Sequence, residues 1–145
     1  MTECIFCKIV KNEIPSKKVY EDTDVIAFLD INPANPGHTL VVPKRHAETL
    51  LDADEADLKK SIAVVKVIAQ RIMSELQADG INVIQNNGRH AGQLVSHFHF
   101  HVIPRFPDDK VIITHQKVHV PNMDEIQRKL SVGPAKPAGD WGARF

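Results

Sequence analysis

Three histidines, His97, His99 and His101, alternate with apolar residues in one segment of the chain. The segment 96–104 alternates in polarity with a period of two and is rich in aromatic and β-branched residues, which predicts a β-strand. Because alternate side chains of a strand share a face, we expect the imidazoles to line one face and the intervening apolar residues to pack on the other. Three imidazoles on one face are hard to explain by packing alone and indicate a functional site.

One function that the three histidines could share is the binding of a single metal ion. His97 and His101 are separated by about 13 Å at Cα, at the rise of roughly 3.3 Å per residue in a strand. Two imidazoles at i and i+2 can reach one ion, but three on one straight strand cannot. If His97 binds a metal, His99 and His101 are therefore free for other chemistry.

The pair Cys4-x-x-Cys7 has the spacing of a zinc-binding thiolate knuckle. A tetrahedral zinc site needs two further ligands, which His46 and His97 could supply. Two other interpretations remain open, a pair of buried reduced cysteines and a redox motif. The redox interpretation is the weaker one, because no strand precedes the pair and no βαβ pattern follows it.

For His99 the pattern favours nucleophilic catalysis. A neutral imidazole is available near neutral pH and can attack phosphorus, which gives a phosphoramidate that water then hydrolyses. Such a reaction needs hydrogen-bond donors around the phosphate oxygens. The polar loop 86–93, directly before the histidines, offers backbone N–H groups at its glycines and the amides of Asn86 and Gln93, and His101 offers an imidazole donor.

Composition narrows the classes of function. The 145 residues fit one domain, 1–132, followed by an irregular tail, 133–145. The 18 basic and 18 acidic side chains balance, so no overall field attracts nucleic acid or an anionic membrane, and we expect neither as a partner. No stretch has the pattern of a signal peptide or a membrane span. We expect a cytoplasmic enzyme or binding domain with reduced thiols.

The elements that must position these residues form an α+β domain, with an antiparallel meander of strands, one long helix and short flanking helices. The turn residues between apolar runs separate these elements. In chain order we expect a helical turn within 2–10, a hairpin of strands 17–21 and 25–29, a loop at 30–37, a buried strand 38–43, the long helix, strand 81–85, the histidine strand, a short strand 110–114 and a short helix 122–130 capped by Asn122.

The long helix can begin at Asp52 or Asp54 as its N-cap, and Gly80 lies just past its expected end. Its apolar residues are too many for one narrow contact stripe. Either the helix is deeply buried, or it packs on its own sheet and also on a second subunit. The stripe comprises Leu58, Ile62, Val65, Ala69, Ile72 and Leu76, and Val64 and Ile68 widen it.

These motifs together resemble the histidine triad (HIT) family, whose motif is His-φ-His-φ-His-φ-φ with φ apolar. Residues 97–103 match it at every position, and the resemblance extends over nearly the whole chain up to Arg105. The further matching segments are Ile5–Ile9 with Ile14 and Pro15, Ala27–Ile31, Gly37–Lys44 and Ala91–Gln93.

The resemblance implies a nucleotide hydrolase or transferase that acts at the α-phosphate of purine nucleotides, usually of adenosine, through a nucleotidyl-histidine intermediate. By that likeness His99 is the nucleophile, His101 contacts the phosphate, His38 is a fourth, supporting histidine and Asp30 binds the ribose hydroxyls. The implied base pocket comprises Phe6, Ile9, Phe28, Ile31 and Leu40, and the implied phosphate and leaving-group contacts are Asn86, Gly92, Gln93 and Leu94.

Two further expectations come from the same resemblance. Related bacterial members bind a structural zinc ion through a Cys-x-x-Cys pair and two histidines, and the matching residues here are Cys4, Cys7, His46 and His97. Members of this size are homodimers joined through the long helix and the next strand, which correspond to 55–78 and 81–85. This expectation assigns the apolar residues Val64 and Ile68 to a subunit interface.

The sequence departs from one branch of the family at a position that bears on the substrate. The Hint branch commonly has a serine two residues after the loop glycine, where it can donate to the leaving group, and Leu94 stands there. The chain also lacks that branch's Trp-Pro-Pro-Gly ending. Three functions are therefore kept: a nucleoside phosphoramidase, a diadenosine polyphosphate hydrolase, and a nucleotide-binding interaction module with incidental turnover.

Overall fold

The fold is an antiparallel sheet with one long helix on one face and a short helix on the other. A computed structural model describes residues 3–114 and 116–133. The predicted α+β class, with one long helix and short flanking helices, is confirmed. The elements are α1 (Ile5–Val10), β1 (Lys18–Glu21), β2 (Val25–Leu29), β3 (Thr39–Pro43), α2 (Glu55–Leu76), β4 (Gly80–Ile84), a 3₁₀ turn (Arg89–Ala91), β5 (Phe100–Arg105) and α3 (Met123–Leu130).

The order of the strands differs from the predicted meander. The five strands lie in the order β1-β2-β3-β5-β4, so β5 is inserted between β3 and β4. It pairs antiparallel with both, and β3 and β4 are therefore parallel to each other. Parallel strands need a crossover connection, which α2 supplies, and the return of the chain from β4 fills the gap between them.

The sheet separates two apolar clusters, because alternate residues of its strands face opposite sides. On one side, Val25, Val41 and Val102 pack against α2. On the other, Leu40 and Val42 pack against α1. Since β2 and β3 have apolar side chains on both faces, they form the buried centre of the domain.

The assignment of residues to the faces of α2 was partly wrong. Val64 and Ile68, which we expected at a subunit interface, are buried in the core of their own chain. Ile62 and Leu76, expected in the central stripe, are 49% and 44% exposed. The face that packs on the sheet includes the buried polar residue Ser61, which a purely apolar pattern does not reveal. The exposed apolar residues of α2 therefore include members of the predicted stripe, and the buried face lies to one side of that stripe.

The ends of several elements also differ from the predictions. Asp54 is the N-cap of α2, as predicted, but the helix stops at Leu76 because Gln77 takes a left-handed conformation with φ of 52°. Gly80 is therefore not a helix cap. It is the first residue of β4, where it pairs with Arg105 of β5.

The histidine strand is shorter than predicted, since β5 begins only at Phe100. The backbone before it bonds outside the sheet: the N–H of Phe98 donates to Ala47 O at 2.7 Å, and the N–H of His97 donates to Val95 O at 2.9 Å. The predicted alternation of side chains nevertheless persists through this segment. The rings of Phe98 and Phe100 are in contact, with centroids 5.3 Å apart.

After β5 the chain leaves the sheet, and the predicted strand 110–114 does not form. The backbone of Val111 bonds locally instead, its N–H to Asp109 at 3.2 Å and its carbonyl to Arg105 at 3.0 Å. The predicted helix near 122–130 is present as α3, although the side chain of Asn122 makes no capping bond. The predicted tail lies outside the described residues except for residue 133, and Thr2 of the first predicted turn lies outside them too.

Among the helices that the structure describes, none combines the length and the apolar character needed to cross a bilayer.

Candidate functional site

The sulfur and nitrogen atoms of four side chains, Cys4, Cys7, His46 and His97, gather within 4.8 Å of one another. The Nδ1 atoms of His46 and His97 are 3.2 Å apart, and each lies 3.4 Å from a cysteine sulfur. Bond lengths of about 2.3 Å to sulfur and about 2.05 Å to nitrogen give a tetrahedron with edges of about 3.3 Å (N–N) and about 3.6 Å (S–N). The spacing therefore fits a single tetrahedral metal ion.

Hydrogen bonds within the protein itself position these sulfur and nitrogen donors. Cys4 is the N-cap of α1, and its sulfur accepts the N–H of Cys7 at 3.4 Å, so both sulfurs face the same side of the first turn. His97 is fully buried, and its Nε2–H donates to Pro43 O at 2.7 Å. This bond leaves the lone pair on Nδ1, the atom that faces the sulfurs.

The charges of the cluster also favour a cation. Burial, together with the neighbouring Cys4, raises the pKa of the Cys7 thiol to about 11, so the thiolate is unfavourable without a positive charge beside it. Burial lowers the pKa of His97 to about 4, so its ring is neutral, as a metal ligand must be. Two sulfurs and two imidazoles in a tetrahedron form a donor set that suits Zn²⁺. Both cysteines are free thiols rather than a disulfide.

His99 presents one ring nitrogen to the interior of the site. Its Nδ1–H donates to the backbone carbonyl of His97 at 2.6 Å, which leaves a lone pair on Nε2. The ring packs edge-on against Phe6, with centroids 5.1 Å apart, and lies 4.9 Å from the ring of His101. Burial lowers the pKa of His99 below its ordinary value, so the ring is neutral and Nε2 is available as a nucleophile.

A chain of hydrogen bonds sets the protonation of the other two histidines. The N–H of Ala34 donates to His38 Nδ1 at 2.9 Å, so the proton of His38 is on Nε2. That Nε2–H donates to His101 Nδ1 at 2.9 Å, so the proton of His101 is on its own Nε2. Asp30 lies 3.5 Å from His38 Nε2, and burial lowers the pKa of His101 to about 4. His101 is thus a neutral ring that offers an N–H donor beside His99.

The residues predicted for the base pocket lie together with one exception. Phe6, Ile9, Phe28 and Leu40 belong to one buried cluster, and the rings of Phe6 and Phe28 meet edge-on at 5.4 Å. Ile31 is 87% exposed, in the loop that follows β2. The cluster therefore forms an apolar floor next to His99, and Ile31 can contribute only from its rim.

The amide of Gln93 holds the loop 86–93 together. Its Oε1 accepts the N–H of Gly88 at 2.8 Å, and its Nε2 donates to Glu48 O at 2.6 Å and to Val95 O at 3.1 Å. These bonds engage every group of the amide that the sequence-based hypothesis assigned to a phosphate. They give the side chain a positioning role in this structure.

The backbone donors predicted at the glycines are used within the loop itself. The N–H groups of Ala91, Gly92 and Gln93 all close the loop on itself, with bonds of 3.0–3.1 Å. By contrast, the N–H groups of Leu94 and Val95 bond to no acceptor among the described residues. Sequence reasoning overlooked that a tight turn at a glycine uses the backbone N–H groups of the turn for its own hydrogen bonds. The N–H groups without an acceptor therefore belong to the residues that follow the turn.

Two other predicted residues of the loop face each other. A Cβ on Gly92, whose φ is +90°, would lie 3.6 Å from the side-chain nitrogen of Asn86. A side chain at position 92 would therefore contact that amide. Leu94 is 91% exposed, so its side chain packs on nothing in the described part of the chain.

The HIT domain family matches residues 11–108, and the chain therefore belongs to that family. An uncharacterized HIT-like protein of Methanocaldococcus jannaschii is 47% identical over 127 residues, 88% of this chain and 98% of that protein. The adenosine 5'-monophosphoramidase HNT1 of Saccharomyces cerevisiae is 46% identical over 102 residues, 70% of this chain and 62% of that one. The adenylylsulfatase HINT3 of Arabidopsis thaliana is 39% identical over 103 residues, 71% of this chain and 52% of that one.

Solved structures agree with this assignment. A HIT family member of Bacillus subtilis superposes with a TM-score of 0.80 and 39% identity, over 91% of this chain and 99% of that one. A Zn-bound histidine triad family protein of Mycobacterium smegmatis superposes with a TM-score of 0.73 and 38% identity, over 87% of this chain and 88% of that one. The HIT fold expected from the resemblance is confirmed.

The hydrogen bonds predict one protonation pattern at neutral pH: His99 protonated on Nδ1, His38 and His101 on Nε2. Long-range ¹H–¹⁵N spectra of the histidine rings measure this pattern directly. The same spectra, recorded against pH, should show His101 titrating at about 4 rather than at its ordinary value of 6.5.

This lowered pKa has a consequence for stability. Between about pH 6.5 and about pH 4 the unfolded chain binds a proton at His101 that the folded chain does not. Its contribution to the free energy of unfolding is therefore complete above pH 6.5 and is lost as the pH falls through this window. The His101→Asn variant should show a shallower pH dependence. An equal dependence in both proteins, or a ring of His101 that titrates at 6.5, contradicts the assignment.

Proposed function

We propose that this protein hydrolyses conjugates of purine nucleoside monophosphates, adenosine above all, through a covalent nucleotidyl intermediate on His99. One observation carries the proposal: the carbonyl of His97 holds the proton on Nδ1 of a buried, neutral His99, which leaves Nε2 as a nucleophile. The names of the yeast and Arabidopsis relatives support it, because the phosphoramidase and the adenylylsulfatase both act on conjugates of adenosine 5'-monophosphate.

The reaction proceeds in two displacements at phosphorus. In the first, the Nε2 lone pair forms a bond to the α-phosphorus, and the bond to the leaving group breaks with its electron pair. The imidazole becomes cationic, and the carbonyl of His97 stabilises that charge through the Nδ1–H bond. In the second, water attacks phosphorus and loses a proton, the P–Nε2 bond breaks, and the nucleoside monophosphate leaves a neutral His99.

Hydrogen-bond donors of the site stabilise the charge that develops on the phosphate oxygens. His101 contributes its Nε2–H, which the bond from His38 keeps in place. The N–H groups of Leu94 and Val95 contribute two backbone dipoles, whose positions need no rearrangement during the reaction. Asp30 accepts from the ribose hydroxyls, and the base lies on the apolar floor that includes Phe6.

A second candidate is hydrolysis of diadenosine polyphosphates by the same chemistry. The observation that favours it is Leu94, whose aliphatic side chain has no acidic hydrogen to give to a departing amine. An amine leaves phosphorus only after taking up a proton, whereas a nucleoside polyphosphate leaves as an anion. Relative kcat/KM values for an adenosine phosphoramidate and for a diadenosine polyphosphate separate the two, and binding of nucleotide without turnover of either indicates a binding module.

Replacement of the nucleophile tests the mechanism. His99→Gly should lower kcat/KM by about 10⁴-fold or more, because no other group replaces the nucleophile of the first displacement. Purine nucleotide should still bind. The matched control is His119→Gly, an exposed histidine outside the site, which should keep wild-type kinetics. Turnover that survives in His99→Gly would exclude the covalent mechanism.

We propose that Cys4, Cys7, His46 and His97 hold a structural zinc ion. The tetrahedral spacing of the donors carries this proposal, and the Zn-bound relative of Mycobacterium smegmatis supports it. Four protein ligands leave no coordination position open for a substrate, so the ion would contribute to folding and to the placement of His97.

Metal analysis and stability measurements test the zinc site. The chain purified without chelator should hold one equivalent of zinc. Cys4→Ser should lose it, and its free energy of unfolding should fall by about 4 kcal/mol or more, as for other losses of a structural metal. Addition of zinc should restore the stability of wild type after chelation, but not that of the variant. Less than half an equivalent in the wild-type protein would contradict the proposal.

We also propose that two chains form a homodimer through α2 and β4. Exposed apolar side chains on these two elements support it, because a contiguous apolar face on a small domain is a typical protein interface. β4 is also an edge strand with unpaired backbone groups along one side. The exposed residues are Ile62, Met73, Leu76 and Val83.

A pair of matched substitutions on α2 tests the dimer. Ile62→Glu places a charge in the proposed interface and should raise the dimer Kd by at least about tenfold. Val67→Glu is the control, since Val67 is equally exposed, 50% against 49%, and lies about 140° away round the helix axis. Sedimentation equilibrium measures both. Equal effects of the two substitutions would place the interface elsewhere.

A further inference from the structure

A cleft of about 410 Å³ lies beside the segment 94–96, in which the N–H groups of Leu94 and Val95 have no acceptor among the described residues. Leu94 and Ser96 line this cleft, whereas Val95 between them packs on the opposite side, against the cluster of Phe6. The segment 94–96 therefore borders both the apolar floor of the histidine site and the cleft. The cleft is lined by Glu48, Thr49, Gly88, Arg89, Gln93, Leu94 and Ser96.

The segment 94–96 connects the cleft to the reaction proposed above. The N–H groups of Leu94 and Val95 are the donors that we assigned to the α-phosphate. The phosphate therefore lies beside the segment 94–96. The group bonded to that phosphate extends away from the nucleoside and from the nucleophile. The cleft adjoins this segment, beside the exposed side chain of Leu94.

Two opposite charges face the cleft without partners among the described residues. Arg89 is exposed at the start of its 3₁₀ turn, and its carbonyl is held by the N–H of Gly92 at 3.0 Å. Glu48 is exposed on the facing wall. Its N–H bonds to Asp52 at 3.0 Å and its carbonyl to Gln93 at 2.6 Å. Hydrogen bonds thus hold the backbones of Arg89 and Glu48 in place, while their charged groups have no partner among the described residues.

Uncommitted charges at fixed places give a cleft a preference for the charge of its ligand. A guanidinium binds a carboxylate or a phosphate with two parallel hydrogen bonds, whereas a facing carboxylate repels additional negative charge. A leaving group with one anionic group therefore fits the cleft better than a neutral one or a highly charged one.

We infer that this cleft receives the leaving group, and that Arg89 makes the enzyme prefer leaving groups that carry an anionic group. The inference rests on the proposed function, since it assigns the substrate's second half to a place in the same site. Glu48 opposes Arg89 and limits the preference to a small negative charge.

Two isosteric substrates test this charge preference. The adenosine 5'-phosphoramidates of glycine and of glycinamide differ only in a carboxylate against a carboxamide. Arg89→Gln should lower kcat/KM for the glycine conjugate by about tenfold and change that for the glycinamide conjugate far less. Glu48→Gln should raise kcat/KM for the glycine conjugate several-fold. Both effects should shrink as salt is added, because the charges are exposed.

A control and a binding measurement separate this inference from the proposed function. Arg128→Gln removes an exposed cation of α3 that does not line the cleft, and it should leave both substrates unaffected. The Kd values of the two conjugates, measured with Arg89→Gln in a His99→Gly background, report on the cleft without turnover. Equal effects of Arg89→Gln on both conjugates, in kcat/KM or in Kd, would overturn the inference. A charge preference in Kd without any turnover by wild type supports the cleft and contradicts only the proposed hydrolysis.

Discussion

His97 is the residue on which the organisation of the site depends, because three of its groups are engaged in three directions. Its Nε2–H donates to Pro43 O at the end of β3, and its Nδ1 faces the two cysteines and His46. Its backbone carbonyl accepts the Nδ1–H of His99. A rotation of this residue would disturb the Cys/His cluster and the ring of His99 together. His97 therefore links the sheet, the Cys/His cluster and the ring of His99.

Burial explains why the clustered histidines can be neutral at neutral pH. Removing an imidazole from water disfavours its charged form, and this is the leading cause of the lowered pKa of His38, His99 and His101. Each ring then has one protonated and one free nitrogen, and a neighbouring acceptor or donor decides which is which. In this way the backbone carbonyl of His97 leaves the lone pair of His99 on Nε2, the atom to which we assign the attack on phosphorus.

The sequence could predict the elements whose signals are local. The alternation of imidazoles and phenylalanines predicted the shared face, and the spacing of Cys4 and Cys7 indicated a metal site. The start of β5 at Phe100 could not be predicted, because it depends on a hydrogen bond from Phe98 to the distant Ala47. The same holds for Gln93, whose amide is engaged by backbone atoms that only the folded chain brings near it.

The buried face of α2 was mistaken for a related reason. A periodic apolar pattern gives the width of the apolar face of a helix. It does not show which part of that width packs on the sheet and which part remains exposed to a second partner. The core side of α2 includes the polar Ser61, while Ile62 next to it remains exposed. The division depends on how the helix is rotated against the sheet, which the pattern alone does not contain.

The ring atom that forms the covalent bond distinguishes the proposed mechanism from its alternatives. Wild-type protein mixed with an adenosine phosphoramidate and quenched in alkali should contain an adenylyl group on His99. Tandem mass spectrometry identifies the residue, and nuclear magnetic resonance of the labelled ring identifies the atom. We expect a bond to Nε2, the nitrogen that the carbonyl of His97 leaves free. A bond to Nδ1, or an adduct on another residue, would contradict it.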